Sequence, residues 1–450
     1  MSSALLRIEV RRSVALLLFP VLLGLAWFYF NDALAFYRRF LWGEVSLAVR
    51  NTAFFAAPCL AGAAAWMAGR ERRRGMGELL GTVPGSALGR QLASLLAVIF
   101  WGAAAYLLIA AILVAITARH ATWGGPILWP GIVGLLALGT YAALGFLIGT
   151  TLPSRFTAPL VAVLAYFVQG MTRYLGNIDT RIAVAPDLNW LTYLSPVVEI
   201  GAAPWYRVQP DVGGPQACFL LGLAGLALAG LVARERRDVM GWLACGGCAL
   251  AVVLAVFAIY RAVPEGGRAG GRAATLAHPI AYTPYCRDGR VPLCVHPAYG
   301  GWLDDNATLL ARLFAPLANL PGGPVRAEQQ GGVWTATNDI VPLLPQPTGD
   351  ASARTTVVYL VRGLDTFALR IGTNCPDRSD QGACRHAQEA VALWLVRQAG
   401  VVDDSRYPSL PAISAAADRF GALPEETRRA WLREHLVALR EGRVPLGDLP

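Results

Sequence analysis

The chain has 450 residues, of which 55% are hydrophobic, and its mean hydropathy is +0.44. This is too apolar for a single soluble domain, so the composition predicts a membrane protein. The formal net charge of +9 is carried by arginine alone, because the sequence contains no lysine. The arginines cluster at the ends of apolar stretches, where they anchor and orient membrane helices. This distribution argues against nucleic acid as a partner.

Seven apolar stretches lie between residues 13 and 261, each near the roughly 20 residues that cross a bilayer. An uncleaved first span is favoured over a signal peptide, because its apolar run ends in bulky aromatic residues. We therefore expect a polytopic α-helical membrane protein with six to seven transmembrane helices, followed by a small extracellular α/β or α+β domain. The expected spans are about 13–30, 51–69, 91–118, 127–150, 157–172, 216–233 and 239–261.

The arginine distribution also predicts the orientation of these spans. With the N-terminus in the cytoplasm, the inner segments carry twelve arginines in 44 residues and the outer segments carry seven in 72. Positive charge accumulates on the cytoplasmic side of membrane proteins. Arg38, Arg39 and Arg50 fall among the outer arginines. An odd number of spans then places the C-terminal region outside the cell membrane.

A Gly-rich linker at 263–274 separates the transmembrane domain, 1–262, from the extracellular soluble domain, 275–450. The second domain reads as a mixture of helices and strands. Asp304 or Asp305 is expected to cap a helix that runs through Leu320. The other expected elements are strands at 355–361 and 367–371, and helices near 384–399 and 424–441.

Four of the eight cysteines lie in the second domain as two close pairs, Cys286 with Cys294 and Cys375 with Cys384. An even number of cysteines in an oxidising compartment favours two disulfides. A four-cysteine zinc site is the alternative, but the pairs lack the usual CxxC spacing. We therefore expect disulfides and no metal.

The sequence carries no convincing catalytic constellation, so we expect neither an enzyme nor a cofactor. Cys294 and His296 are explained more simply as a disulfide cysteine beside a turn histidine. A P-loop needs a lysine on the phosphates, and this chain has none. The spans contain almost no ionisable residues of the kind that ion-coupled carriers use. Any ATP hydrolysis must therefore come from a separate chain.

A basic loop follows the second span and reads Gly69-Arg-Glu-Arg-Arg-Arg-Gly-Met-Gly-Glu-Leu-Leu-Gly-Thr-Val-Pro84. With Arg90, the N-terminal Arg7-Ile-Glu-Val-Arg-Arg12 and Leu194-Ser-Pro196, this loop resembles the corresponding segments of ABC-2 type transporter permeases. The resemblance covers roughly residues 1–235. The seventh span and the extracellular domain depart from the usual six-span pattern. The whole arrangement looks like ABC-2-related membrane proteins of GC-rich actinobacteria.

The resemblance implies that the loop is a coupling helix that docks in a cleft of a separate ABC ATPase. Two permeases, identical or different, would then work with two ATPases. The charge-poor, aromatic-rich spans suit export of an amphipathic, lipid-like or peptide substrate. The implied coupling residues are Glu71, Arg72, Arg73, Arg74, Glu78, Leu79 and Leu80.

Several alternatives remain open at this level. Gly145 and Gly149 have the small-xxx-small spacing of close helix packing, which serves either the interior of one chain or a dimer. The basic loop could bind anionic membrane lipids instead of an ATPase. The whole chain could be a membrane-anchored extracellular binding or enzymatic domain, or a non-transporting sensor or immunity protein.

Overall fold

The chain divides into two compact units, Met1–Ile280 and Ala281–Pro450. The structure is a computed structural model. It describes residues 3–36, 41–75, 86–175, 193–197, 210–236, 239–262, 280–329, 340–343, 353–354, 356, 381–401 and 410–450.

The described part of the first unit is almost entirely helical, because its long Leu- and Ala-rich runs satisfy the backbone hydrogen bonds within each segment. Helices α3 and α4 are separated only by Thr52, whose backbone is itself helical. The ten helices described are α1 Ser3–Arg12, α2 Ala15–Phe36, α3 Trp42–Asn51, α4 Ala53–Ala68, α5 Arg70–Arg73, α6 Ala87–His120, α7 Leu128–Thr151, α8 Thr157–Leu175, α9 Pro210–Arg236 and α10 Val239–Ala262.

Five helical segments in the described part are long and apolar enough to cross a membrane. Two shorter apolar helices, Ala15–Trp27 and Thr157–Met171, occupy the positions of the first and fifth expected spans. The helical, polytopic architecture expected from the sequence is thus confirmed at this level. The five long segments are Trp42–Ala68, Ala87–His120, Leu128–Thr151, Val212–Glu235 and Val239–Ala262.

The α3–α4 segment lies at the centre of the first unit. Of the 18 residues that form its apolar stretch, 83% are buried. Helix α7 approaches it so closely that a Cβ added at Gly145 would lie 2.2 Å from the Ala61 carbonyl oxygen. A Cβ at Gly149 would lie 2.3 Å from the carbonyl oxygen of Ala65. Both glycines therefore allow two backbones of the same chain to touch.

Helix α8 covers α4 at another position, where a Cβ added at Gly62 would lie 3.1 Å from the carbonyl oxygen of Ala158. Small residues thus bring neighbours close to α4 on two sides. The outermost helices differ sharply from it. In α10, only 11% of the 18 residues of the apolar stretch are buried, and Trp242 and Phe257 on this helix are exposed. Large exposed apolar surfaces of this kind are typical of a membrane interface.

The second unit contains a four-stranded sheet in the order β1-β2-β3-β4. The first two strands pair antiparallel, and the other two pairs are parallel. Its core includes Leu303, Leu310 and Phe314 together with Phe420 and Leu432, all almost fully buried. The elements are β1 Tyr285–Arg287, β2 Leu293–Val295, α11 Gly300–Phe314, β3 Arg326–Glu328, β4 Ile340–Pro342, α12 Gln381–Gln398, α13 Pro411–Ala422 and α14 Glu425–Arg440.

Helix α11 begins and ends earlier than expected. It starts at Gly300, before the expected Asp304 or Asp305 cap, and ends at Phe314. Pro316 explains the early end, because it lacks the N–H that the next helical hydrogen bond needs. A 3-10 turn replaces the last expected turn of α-helix.

Helices α12 and α14 lie where the sequence places them, whereas α13 was not anticipated. The expected strands at 355–361 and 367–371 lie outside the described residues, except for Thr356, which is helical. The expected linker at 263–274 also lies outside them.

The disulfide between Cys286 and Cys294 is confirmed. The two cysteines are directly opposite each other in the antiparallel pair of β1 and β2. The register of the hairpin therefore brings the two thiols together. Cys375 and the side chain of Cys384 lie outside the part of the chain that the structure describes.

Candidate functional site

The basic loop starts directly after α4. Four of the seven expected coupling residues, Glu71 to Arg74, are described, and the first three lie in the short helix α5. The helix ends at Arg73, and the chain then turns at Gly75, whose positive φ of 64° favours glycine. Glu78, Leu79 and Leu80 lie outside the described residues.

An ion pair attaches the start of this loop to the N-terminal helix. The Arg70 guanidinium lies 2.9 Å and 3.1 Å from the two carboxylate oxygens of Glu9. Both side chains are largely buried, at 22% and 15% exposure. The Ser94 hydroxyl donates to the same carboxylate at 3.2 Å, and Trp101 Nε1 donates to the Val10 carbonyl at 2.8 Å. The N-terminal helix α1 therefore joins the loop to α6.

A second, longer ion pair joins the loop to α6 directly, since Arg90 Nε lies 3.9 Å from Glu71 Oε1. Arg73 turns back towards α4 instead. Its guanidinium donates to the Trp66 carbonyl and lies 4.2 Å from the centre of the Trp66 ring. Burial, and then the neighbouring Arg74, lower the pKa of Arg73. The described loop residues thus contact three helices.

A polar cavity of about 70 Å³ lies beside the loop, where α4, α6, α7 and α9 converge. Its deep wall is apolar, and its outer wall carries charged groups from α5 and α9. It is lined by Met67, Ala68, Arg70, Glu71, Arg72, Gln91, Ser94, Phe146, Thr150, Leu231, Arg234 and Glu235.

A buried arginine in α3 forms a second polar cluster, which the sequence analysis missed. Arg50 is only 4% exposed. Its Nε donates to the Pro196 carbonyl, and its Nη2 donates to the Ser195 carbonyl at 3.3 Å and to Gln216 Oε1 at 3.1 Å. Gln216 Nε2 in turn donates to the carbonyls of Tyr193 and Ser195, both at 2.7 Å.

The charge count placed Arg50 in an outer loop, but it lies inside a long apolar helix. The signal that could have identified it is its position directly after the apolar run Leu47 to Val49 and before the second expected span. An ionisable residue in such a place is usually functional or paired. A second signal is Gln216, a lone polar side chain near the start of the apolar part of α9.

The second unit shows what Cys294 and His296 do. Cys294 is held in the disulfide. The Nδ1 of the buried His296 accepts the Ala298 N–H at 3.1 Å, and burial lowers the pKa of His296 to about 4. Both residues therefore have structural roles in this hairpin. Within the described residues, no group of three or more His, Cys, Asp or Glu side chains could hold a metal.

Comparison with family models, with curated proteins and with solved structures finds no match for this chain.

Proposed function

We propose that this chain is the membrane-spanning permease subunit of an ABC-2 type transporter, driven by a separate ATPase. The observation that carries the proposal is the attachment of the basic loop to two other helices. Arg70 is bonded to Glu9 of α1, and Glu71 faces Arg90 of α6. A force applied to the loop by a partner would therefore reach α1 and α6 as well as α4.

The charge distribution supports the same assignment. Arg72 and Arg74 are exposed, so they are accessible to acidic side chains of a partner. Exposed charges of this kind set the specificity and rate of association more than its strength. Arg73, folded back onto Trp66, holds the short helix against the end of α4. In this assignment, Glu78, Leu79 and Leu80 complete the docking surface.

The proposed assembly contains two permease chains and two ATPases. ATP binding would draw the ATPases together and tilt the helices to which the loops are attached. The wide, charge-poor helical surfaces fit export of an amphipathic, lipid-like or peptide substrate. In the proposed orientation, the N-terminus is cytoplasmic and the soluble domain, 275–450, is extracellular.

The test is co-purification of the intact protein with a co-expressed candidate ABC ATPase. The informative variant reverses the loop charge by Arg72→Glu, Arg73→Glu and Arg74→Glu. A control with the same change in charge replaces the exposed Arg312, Arg419 and Arg433 of the second unit by Glu. We expect the ATPase to be lost only from the loop variant.

Retention of the ATPase by the loop variant would contradict the assignment of the loop. A failure of every candidate ATPase to bind the unaltered protein would contradict the permease assignment. Both triple variants must elute from size-exclusion chromatography as the unaltered protein does, which shows that they are folded and inserted.

A further inference from the structure

We propose that the polar cavity beside the basic loop binds a phosphate group, with Arg72 and Arg234 as its cationic ligands. These residues come from different helices, α5 and α9, and both line the cavity. The inference rests on the proposed function in one respect only, namely the side of the membrane to which the cavity opens. The binding itself requires no ATPase.

The size of the cavity fits this ligand. A single water needs about 10–15 Å³ of such space. The cavity of about 70 Å³ therefore has room for about five to seven waters. A phosphate group, whose outer surface is formed by four oxygens, fits within that space. A larger headgroup would leave its remaining atoms outside the rim.

The two halves of the cavity wall have different roles. Met67, Phe146 and Leu231 are buried and form the apolar deep wall. Apolar surroundings lower the local dielectric and so strengthen the attraction between a guanidinium and an anion. Arg72 and Arg234 lie on the exposed side, where they can receive an anion from solvent or from a membrane surface.

Ion pairs leave these two arginines as the available cations. Arg70 is engaged by Glu9, and Glu71 lies opposite Arg90. Arg72 and Arg234 form no ion pair within the residues that the structure describes. Glu235 also lines the cavity and offsets one of the two charges, so the balance at the rim remains positive.

The chemistry of arginine suits a phosphate ligand. The planar guanidinium presents paired N–H groups that bind two phosphate oxygens at once. Gln91, on a third helix, lines the same cavity and adds an amide donor. A ligand held by all three side chains would connect α5, α6 and α9.

The phosphate can come from a lipid headgroup or from free phosphate, and the experiment separates these sources. The purified full-length protein in a neutral detergent is titrated by calorimetry with dihexanoyl phosphatidylglycerol and, separately, with inorganic phosphate. Arg234→Gln removes one proposed ligand. Arg155→Gln is the matched control, because Arg155 is exposed and follows α7 close to Thr150 but does not line the cavity.

We expect saturable binding of at least one probe, weakened at least tenfold by Arg234→Gln and less than twofold by Arg155→Gln. Binding of the lipid alone identifies a headgroup site, and competition between the two probes identifies a site for the phosphate itself. The absence of binding by both probes, or equal weakening in the two variants, overturns the inference. Unchanged unfolding temperatures establish that the variants are folded.

Arg234 is outside the basic loop, so this test is separate from that of the proposed function. If no ATPase binds but phosphate binding depends on Arg234, the permease assignment fails and the phosphate site stands. If an ATPase binds and phosphate binding does not depend on Arg234, the phosphate site fails and the permease assignment stands.

Discussion

The guanidinium of Arg50 donates to the side-chain amide oxygen of Gln216, 166 residues further along the chain, at 3.1 Å. The same guanidinium and the Gln216 amide both donate to the Ser195 carbonyl. Helix α3, the segment 193–197 and helix α9 are thereby joined by hydrogen bonds from the side chains of Arg50 and Gln216. The segment includes the Leu194-Ser-Pro196 triplet, one of the sequence features behind the proposed permease assignment.

Replacement of the buried arginine should destabilise the first unit strongly. Arg50→Leu leaves the Pro196 carbonyl and the Gln216 amide oxygen without their donor. A buried polar group left without a partner costs about 1–3 kcal/mol, so for two such groups we expect a total loss of about 2–6 kcal/mol. Arg50→Lys should recover part of this loss, because it keeps the charge but lacks the forked donors. Thermal unfolding in detergent measures the effect.

The exposed Arg119 at the end of α6 provides the control for that experiment. Arg119→Leu makes the same chemical change at a solvent-facing position and should change the unfolding temperature little. Equal unfolding temperatures for Arg50→Leu and Arg119→Leu would show that the bonds to the segment 193–197 do not stabilise the protein.

The close contact of α4 with α7 predicts that alanine substitutions at different glycines of α7 have different effects on stability. Gly145→Ala or Gly149→Ala places a methyl group against the backbone of Ala61 or Ala65. Overpacking of this kind costs about 1–3 kcal/mol. Gly139→Ala, with nothing within 4 Å, should instead stabilise the helix by up to about 1 kcal/mol. A lower unfolding temperature for Gly139→Ala than for Gly145→Ala would contradict the packing described here.

The ion pair between Glu9 and Arg70 can be tested by a charge swap. Glu9→Arg and Arg70→Glu should each lower stability, since each leaves like charges in a largely buried site. The double variant should recover at least about 1 kcal/mol relative to the sum of the single changes, which is the coupling expected for residues in contact. A thermal unfolding cycle measures it. A double variant whose loss equals the sum of the two single losses would show that the two side chains are not coupled.

The buried histidine of the second unit predicts a loss of stability in mild acid. The pKa of His296 is about 4 in the folded protein, below the unperturbed value of about 6.5. The unfolded chain therefore binds more protons between these values, and stability falls as the pH is lowered through this window. The full shift corresponds to at most about 3 kcal/mol, reached near and below pH 4.

Denaturant unfolding of the intact protein between pH 4 and pH 7 measures this loss. His296→Gln removes the titrating ring and should flatten the pH dependence of the free energy of unfolding of the second unit in that interval. The same slope in the variant and in the unaltered protein would assign the acid sensitivity to other groups.

The positions of the helices along the chain follow from the sequence more directly than the contacts between the elements do. Long apolar runs demand helices in any membrane setting, so the helical positions of the first unit were predictable. The early end of α11 could also have been predicted from the sequence, because Pro316 lies within the expected helix. The strand pairing in the second unit depends on contacts between distant residues, and only the disulfide pair pointed to it.

The site was predictable only in part for a similar reason. Counting arginines by loop treats each one as exposed, and so Arg50 was assigned to an outer segment. Its burial depends on Pro196 and Gln216, which are remote in sequence. The Glu9–Arg70 pair was hidden in the same way, because 61 residues separate the two partners.

The glycine and alanine contacts around the α3–α4 segment have a mechanical consequence. Where backbone meets backbone, no flexible side chain lies between the helices to absorb a small displacement. The segment Trp42–Ala68 is about 40 Å long at 1.5 Å per residue. It ends beside Arg70 and carries Arg50 within its first three turns. Pro58 removes a hydrogen bond of α4 between these two points. A displacement at the loop end is therefore passed most directly to α7, through the backbone contacts at Ala61 and Ala65.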